Sequence, residues 1–131
     1  MCAALAACST GIQTASAPVT FANNPPSIVP AVRANAAAPR IQAIWISGKA
    51  FHGGDLVRMR VIASTNVAVV EMRTFGYGRA LHKRDFGQFS GVFHVPLLPP
   101  FVRVHYAIHF RFIARNSAGN AVEETAAIAV R

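Results

Sequence analysis

One segment near the end of the chain constrains the fold more than any other. Between residues 102 and 114 every second side chain is apolar or aromatic, from Val102 to Ala114. A period of two held over this length is typical of a β-strand with one face in a core and the other mostly in water. The segment therefore predicts a long, half-buried strand.

The rest of the chain after Pro39 repeats this pattern in shorter runs. Gly, Asn, Asp and Pro separate these runs, which are rich in Val, Ile and Phe, and no helical period is present there. The predicted strands cover residues 41–46, 57–63, 67–75, 79–82 (a weak strand), 89–95, 102–114 and 122–130. Turn residues at 115–120 predict that the last two strands form a hairpin. About seven strands in 93 residues predict an all-β sandwich.

Several local motifs resemble those of bacterial immunoglobulin-like and fibronectin type III-like modules. They include Gly54-Asp55 before an alternating strand, the segment 87–93 ending at Val95-Pro96, and Tyr106 followed by the turn 116–120. Modules of this kind occur in adhesins and cell-envelope proteins. The resemblance implies that residues 39–131 form an immunoglobulin-like antiparallel β-sandwich of about seven strands, with a structural or interaction role.

The segment before this region has a different composition. Residues 9–38 are rich in Ala, Pro, Ser and Asn, and Arg33 is their single charged residue. Such a segment buries too little apolar surface to offset its ordering entropy, and its prolines favour extended conformations. We expect residues 9–38 to be a disordered tether.

Both cysteines, Cys2 and Cys8, precede this tether, so no disulfide can link the sheets of the sandwich. The sequence Leu5-Ala6-Ala7-Cys8 resembles the lipobox of bacterial lipoproteins. The resemblance implies that residues 1–8 are a signal-peptide remnant, that Cys8 carries the lipid anchor, and that the signal peptide begins upstream of Met1. Ser9 rather than Asp after the cysteine points to the outer membrane in a cell with two membranes. A secreted or periplasmic location is the alternative.

The chain offers few residues for catalysis or metal binding. His105 and His109 share a strand face but are about 13 Å apart, too far to bind one metal ion. Glu123 and Glu124 are adjacent on a strand and point to opposite faces, and Ser90 does not lie in a Gly-x-Ser-x-Gly motif. We expect no catalytic site, no metal and no cofactor.

Charge is the more informative feature. The chain has 13 Lys and Arg against 5 Asp and Glu, for a net charge of +8. One face of the predicted strand 102–114 and the turn after it carries a candidate anion-binding set: Arg103, His105, His109, Arg111 and Arg115. A second basic group, Arg79, His82, Lys83 and Arg84, lies in a predicted loop. The alternative is that the arginines form a solvated sheet face and pair with Glu71 and Glu123 on neighbouring strands.

These observations favour a non-enzymatic, lipid-anchored cell-envelope protein with one immunoglobulin-like structural or interaction module. Its expected partners are the membrane, through Cys8, and an envelope protein or anionic glycan. The alternative is a binder of anionic glycan or lipid headgroups through the basic strand face. A nucleic-acid-binding domain is the least favoured reading. Residues 96–101 form an apolar loop, which either plugs the end of the sandwich or contacts a partner.

Overall fold

The computed structural model describes residues 17–99, 101 and 105–131, and these residues form an all-β sandwich. The described ranges contain no helix, and so no helix long and apolar enough to cross a membrane. The ten strands are β1 (Val19–Phe21), β2 (Ile41–Ile46), β3 (Ala50–Phe51), β4 (Leu56–Ala63), β5 (Val67–Thr74), β6 (Tyr77–Ala80), β7 (His82–Asp85), β8 (Gln88–His94), β9 (Tyr106–Asn116) and β10 (Ala121–Val130).

The strands divide into two five-stranded sheets. The first sheet has the order β1-β2-β4-β8-β7, and the second has the order β3-β10-β9-β5-β6. Neighbouring strands are antiparallel except in the pairs β1 with β2 and β3 with β10, which are parallel. The prediction of an all-β sandwich is confirmed.

The core lies between the two sheets and is built from alternate side chains. In β4 these are Val57, Met59 and Val61, and in β9 they are Ile108 and Phe110, with Phe112 and Ala114 continuing the alternation. Each of these side chains is 0% or 1% exposed. The period of two read from the sequence is therefore the period of burial, and it fixes which face of each sheet is internal.

The strand count exceeds the predicted seven because short edge strands form where turns, loops or a tether were expected. The expected turn at residues 47–55 contains β3, which pairs with the end of β10. The weak strand expected at residues 79–82 is a crossover: β6 ends at Ala80 in the second sheet, and β7 begins at His82 in the first. Leu81 between them is 8% exposed, and its N–H donates to the Val70 carbonyl at 2.8 Å.

Residues 17–38 differ from the expectation of a tether over 9–38, of which residues 9–16 lie outside the described ranges. Strand β1 pairs with β2. Farther along, the Asn66 side-chain amide donates to the carbonyls of Ala34 and Ala37 at 3.1 and 2.7 Å. These hydrogen bonds and the strand pairing hold residues 17–38 against the sandwich.

Strand β2 explains why residues 17–38 lie against the sandwich, because it presents large apolar side chains on both of its faces. Trp45 points away from the core, in register with Arg60 of β4, and yet is only 5% exposed. The Trp45 indole N–H donates to the Ala22 carbonyl at 2.8 Å. A strand that is apolar on both faces needs cover on both, and residues 17–38 provide it on the outer face.

Candidate functional site

The predicted anion-binding set lies where β9 crosses the second sheet. His109 and Arg111 are exposed on the outer face of β9, and the half-exposed Arg115 follows them on the same face. His105 is exposed just before β9, whereas Arg103 falls outside the described residues. The structure therefore brings His109, Arg111 and Arg115 together on one face, as the alternation predicted.

This face also carries carboxylates that pair with the arginines. The Arg111 Nε donates to Glu123 Oε2 at 2.7 Å, and a terminal nitrogen of Arg111 donates to Glu123 Oε1 at 2.9 Å. This two-point contact is the geometry in which a guanidinium binds a carboxylate best. The hydrogen bond from Arg111 lowers the pKa of Glu123, and the same contact raises the pKa of Arg111.

Glu71 on β5 accepts hydrogen bonds from two further arginines. The Arg73 Nε donates to Glu71 Oε1 at 3.0 Å, and the Arg115 side chain donates to the same oxygen at 3.4 Å. The hydrogen bond from Arg73 is the main cause that lowers the pKa of Glu71. The outer face of the second sheet is thus an alternation of positive and negative side chains, which agrees with the solvated-face interpretation.

The outer face of the first sheet has a different electrostatic character. One row of paired residues crosses it from strand to strand: Trp45 on β2, Arg60 on β4, Ser90 on β8 and His82 on β7. Around this row runs a groove of about 700 Å³, here called the arginine groove. Its charged or ionisable lining consists of Arg58, Arg60, His82 and Arg84 of the first sheet and Arg79 of β6, the edge strand of the second sheet.

The arginine groove has no carboxylate in its lining. All five Asp and Glu residues of the chain are among the described residues, so no acidic side chain of the protein lines the groove. Glu71, Glu123 and Glu124 lie on strands of the second sheet, and Asp55 accepts a hydrogen bond from the His52 N–H at 2.8 Å in the turn before β4. Asp85 follows Arg84 at the end of β7, where its carboxylate accepts a hydrogen bond from the Phe86 N–H at 2.7 Å. Among the described residues, no carboxylate lies within ion-pair distance of a basic side chain of the groove.

Arg58 and Arg60 differ in the contacts that their guanidinium groups make. The Arg58 guanidinium lies 5.6 Å from the centre of the Trp45 ring, and its nitrogen donates to the Asn23 carbonyl at 3.3 Å. The Nε of Arg60 is buried and has no hydrogen-bond partner among the described residues. A buried donor without a partner costs roughly 1–3 kcal/mol, and more when it is charged.

Arg58 and Arg60 do not belong to any site predicted from the sequence. The sequence does indicate the orientation of both arginines. They alternate with the buried Val57, Met59 and Val61, so they must face outward. The second basic group, expected in a loop, lies instead on strands β6 and β7. Only the pairing of β4 with β8 and of β8 with β7 places His82 and Arg84 beside the two arginines of β4.

The apolar loop 96–101 does not plug the end of the sandwich with its large side chains. Leu97 is 78% exposed and Phe101 is 84% exposed. Val95 just before the loop is buried and closes the core at this end. The described part of the chain also contains no group of three His, Cys, Asp or Glu side chains that could hold a metal ion.

Comparisons with known proteins returned no similarity on which to base an assignment: no family model, curated protein or solved structure matches the chain.

Proposed function

We propose that this chain is a non-enzymatic cell-envelope lipoprotein whose single immunoglobulin-like domain serves as a structural or interaction module. The observation that carries the module assignment is the strand order. In immunoglobulin nomenclature β2, β4, β8 and β7 correspond to strands A, B, E and D, and β10, β9, β5 and β6 correspond to G, F, C and C′. This strand order supports the proposal, because immunoglobulin domains pack an ABED sheet against a GFC sheet.

The lipid-anchor part of the proposal is supported by Leu5-Ala6-Ala7-Cys8, which resembles a lipobox. Ala17 lies beside Arg40 and Ser64, at the end of the sandwich where β2 begins and β4 ends. The nine residues from Ser9 to Ala17 can span at most about 30 Å. An acyl chain on Cys8 would therefore hold this end of the domain within about 30 Å of the bilayer, rather than at the end of a 30-residue tether.

The test of this proposal is the intact mass of the protein isolated from the membrane fraction of cells that carry the native gene with its upstream codons. We expect a chain that begins at Cys8 and carries the mass of a diacylglyceryl group. An unprocessed or unacylated chain would contradict the lipid anchor.

The two cysteines provide a matched pair of variants. Cys8→Ser should move the protein from the membrane fraction to the soluble fraction, whereas Cys2→Ser should leave it in the membrane fraction. If both variants fractionate as the unmodified chain does, acylation of Cys8 does not attach the protein to the membrane.

A further inference from the structure

We propose that the arginine groove binds a ligand that carries two or more phosphate groups. This proposal goes beyond the module assignment and does not depend on acylation of Cys8. It also moves the anion-binding function from the second sheet, where the sequence suggested it, to the outer face of the first.

The distribution of carboxylates is the first argument. On the second sheet Arg73, Arg111 and Arg115 have carboxylate partners at 2.7–3.4 Å. In the arginine groove four arginines line one depression with no acidic side chain. The positive charges of these arginines repel one another within the groove, and low-dielectric walls strengthen the repulsion. A bound polyanion would supply the compensation that the chain provides on the opposite face.

The donors in the groove suit phosphate oxygens. Arg60 and His82 flank Ser90 in one cross-strand row, so a basic group lies on each side of a hydroxyl. Arg60 lines the groove and makes no ion pair with the described carboxylates. A guanidinium presents its N–H groups in a planar fork that matches two phosphate oxygens.

The size of the groove argues for more than one phosphate. Neighbouring strands are about 4.8 Å apart, so Arg60 and His82 are separated by about 10 Å of backbone across the row. The four arginines of the groove carry a formal charge of +4, whereas one phosphate group carries about −1.5 to −2 at pH 7, so two or more phosphate groups are needed to offset them. The volume of about 700 Å³ lies in the range typical of small-molecule sites.

The lining argues against recognition by stacking. Trp45 is the aromatic residue in the described lining, and it is only 5% exposed with Arg58 over its ring. Single-stranded nucleic acids are bound largely by bases stacked on exposed aromatic rings. The groove therefore favours a ligand recognised through its phosphates rather than through a ring.

The experiment titrates the full chain with inorganic pyrophosphate and follows both the heat of binding and Trp45 fluorescence. Trp45 is the single tryptophan and lines the groove, so its emission reports occupancy locally. We expect saturable binding with one pyrophosphate per chain. The double variant Arg60→Gln/Arg84→Gln should weaken it at least about tenfold, because each lost charged hydrogen bond contributes about that factor.

The matched control is Arg111→Gln/Arg115→Gln, which removes the same two positive charges from the opposite sheet. This control should leave pyrophosphate binding within about twofold, since screening limits the reach of its charges to about 8 Å at physiological salt. If Arg60→Gln impairs folding, Arg79→Gln/Arg84→Gln alters two exposed groove residues and should weaken binding similarly.

The source of the phosphates is tested with phosphatidylcholine vesicles that contain or lack cardiolipin, a lipid with two phosphates. Pyrophosphate binding assigns the groove to a free phosphate ligand, and cardiolipin binding that the groove variant abolishes assigns it to a lipid headgroup. The proposal is overturned if neither probe binds, or if the groove variant and the control lose binding equally.

Discussion

Glu71 and Glu123 determine the electrostatics of the second sheet at the level of single residues. Each accepts hydrogen bonds from arginines on the same or a neighbouring strand, and these bonds lower the pKa of both carboxyls. A carboxyl whose pKa is lower in the folded state stabilises that state at pH values above its ordinary pKa. The stabilisation is lost as the pH falls through the lowered value.

This linkage predicts how stability depends on pH. The free energy of unfolding should fall as the pH drops below 4.5, the ordinary value for these glutamates. The double variant Glu71→Gln/Glu123→Gln should show a smaller fall over the same range, measured by denaturant unfolding at several pH values. The effect should be modest, because both ion pairs are exposed and exposed pairs contribute little.

Glu124→Gln is the control for that measurement, since Glu124 makes no ion pair with the described residues. It should retain the pH dependence of the unmodified chain. The same slope in the double variant and the unmodified chain would show that the two ion pairs do not set the acid dependence.

Gly87 is a second residue whose identity is fixed by its surroundings. Its φ is +73°, in the left-handed region, and a Cβ there would overlap the Ala63 carbonyl oxygen and lie 2.6 Å from the Pro30 Cβ. Both neighbours are constrained, since one is backbone and the other is part of a ring. Only glycine combines this φ with so close an approach.

Gly87→Ala should therefore destabilise the domain by about 3 kcal/mol or more, through backbone strain and overpacking together. Gly119→Ala is the matched control: φ is +89°, and no atom lies within 4 Å of the added Cβ. It should cost only about 1–2 kcal/mol, the strain alone. Equal losses for the two variants in thermal or denaturant unfolding would mean that Pro30 does not pack against Gly87.

At the level of elements, residues 17–38 are the feature that differs most from the sequence prediction, which was a disordered tether over residues 9–38. Their composition has no strand period, yet they pair with β2 and cover Trp45. The sequence feature that indicates this packing is in β2 rather than in residues 17–38. Residues 41–46 are apolar on both faces, which predicts cover on both, but nothing in the sequence says which segment provides it.

Removal of this segment should expose Trp45 and destabilise the sandwich. A chain that begins at Pro39 should have a red-shifted tryptophan emission and a free energy of unfolding lower by about 3 kcal/mol or more, the cost of exposing one large apolar side chain and its neighbours. A chain that begins at Ala17 is the control and should match the full chain in both properties. If the two shortened chains have the same emission and stability, residues 17–38 do not pack on β2.

The long strands were predictable because each carries its own period. Residues 41–46 coincide with β2, and the other predicted long strands agree with β4, β5, β8, β9 and β10 to within a few residues over the described part of the chain. The short strands were not predictable. Two to four residues carry no measurable period, and β3, β6 and β7 exist because a neighbouring strand offers unpaired backbone groups.

For the whole molecule, the net charge of +8 is divided unequally between the two outer surfaces. Arg73, Arg111 and Arg115 on the second sheet pair with glutamates, whereas Arg58, Arg60 and Arg84 of the first sheet, with Arg79 of β6, line a groove without a carboxylate. The face that looked most basic along the sequence is thus the more compensated one. Sequence spacing reports the charges of one strand, but compensation depends on the strands beside it.

The sequence by itself determined the all-β class, the long strands and the side chains that face the core, because alternation along one strand decides which face is buried. Tertiary structure alone decided the pairing of strands, the attachment of residues 17–38 and the convergence of Arg58, Arg60, Arg79, His82 and Arg84. These features depend on contacts between segments far apart in the chain. A local pattern specifies which face a residue occupies, whereas register and sheet order specify its neighbours.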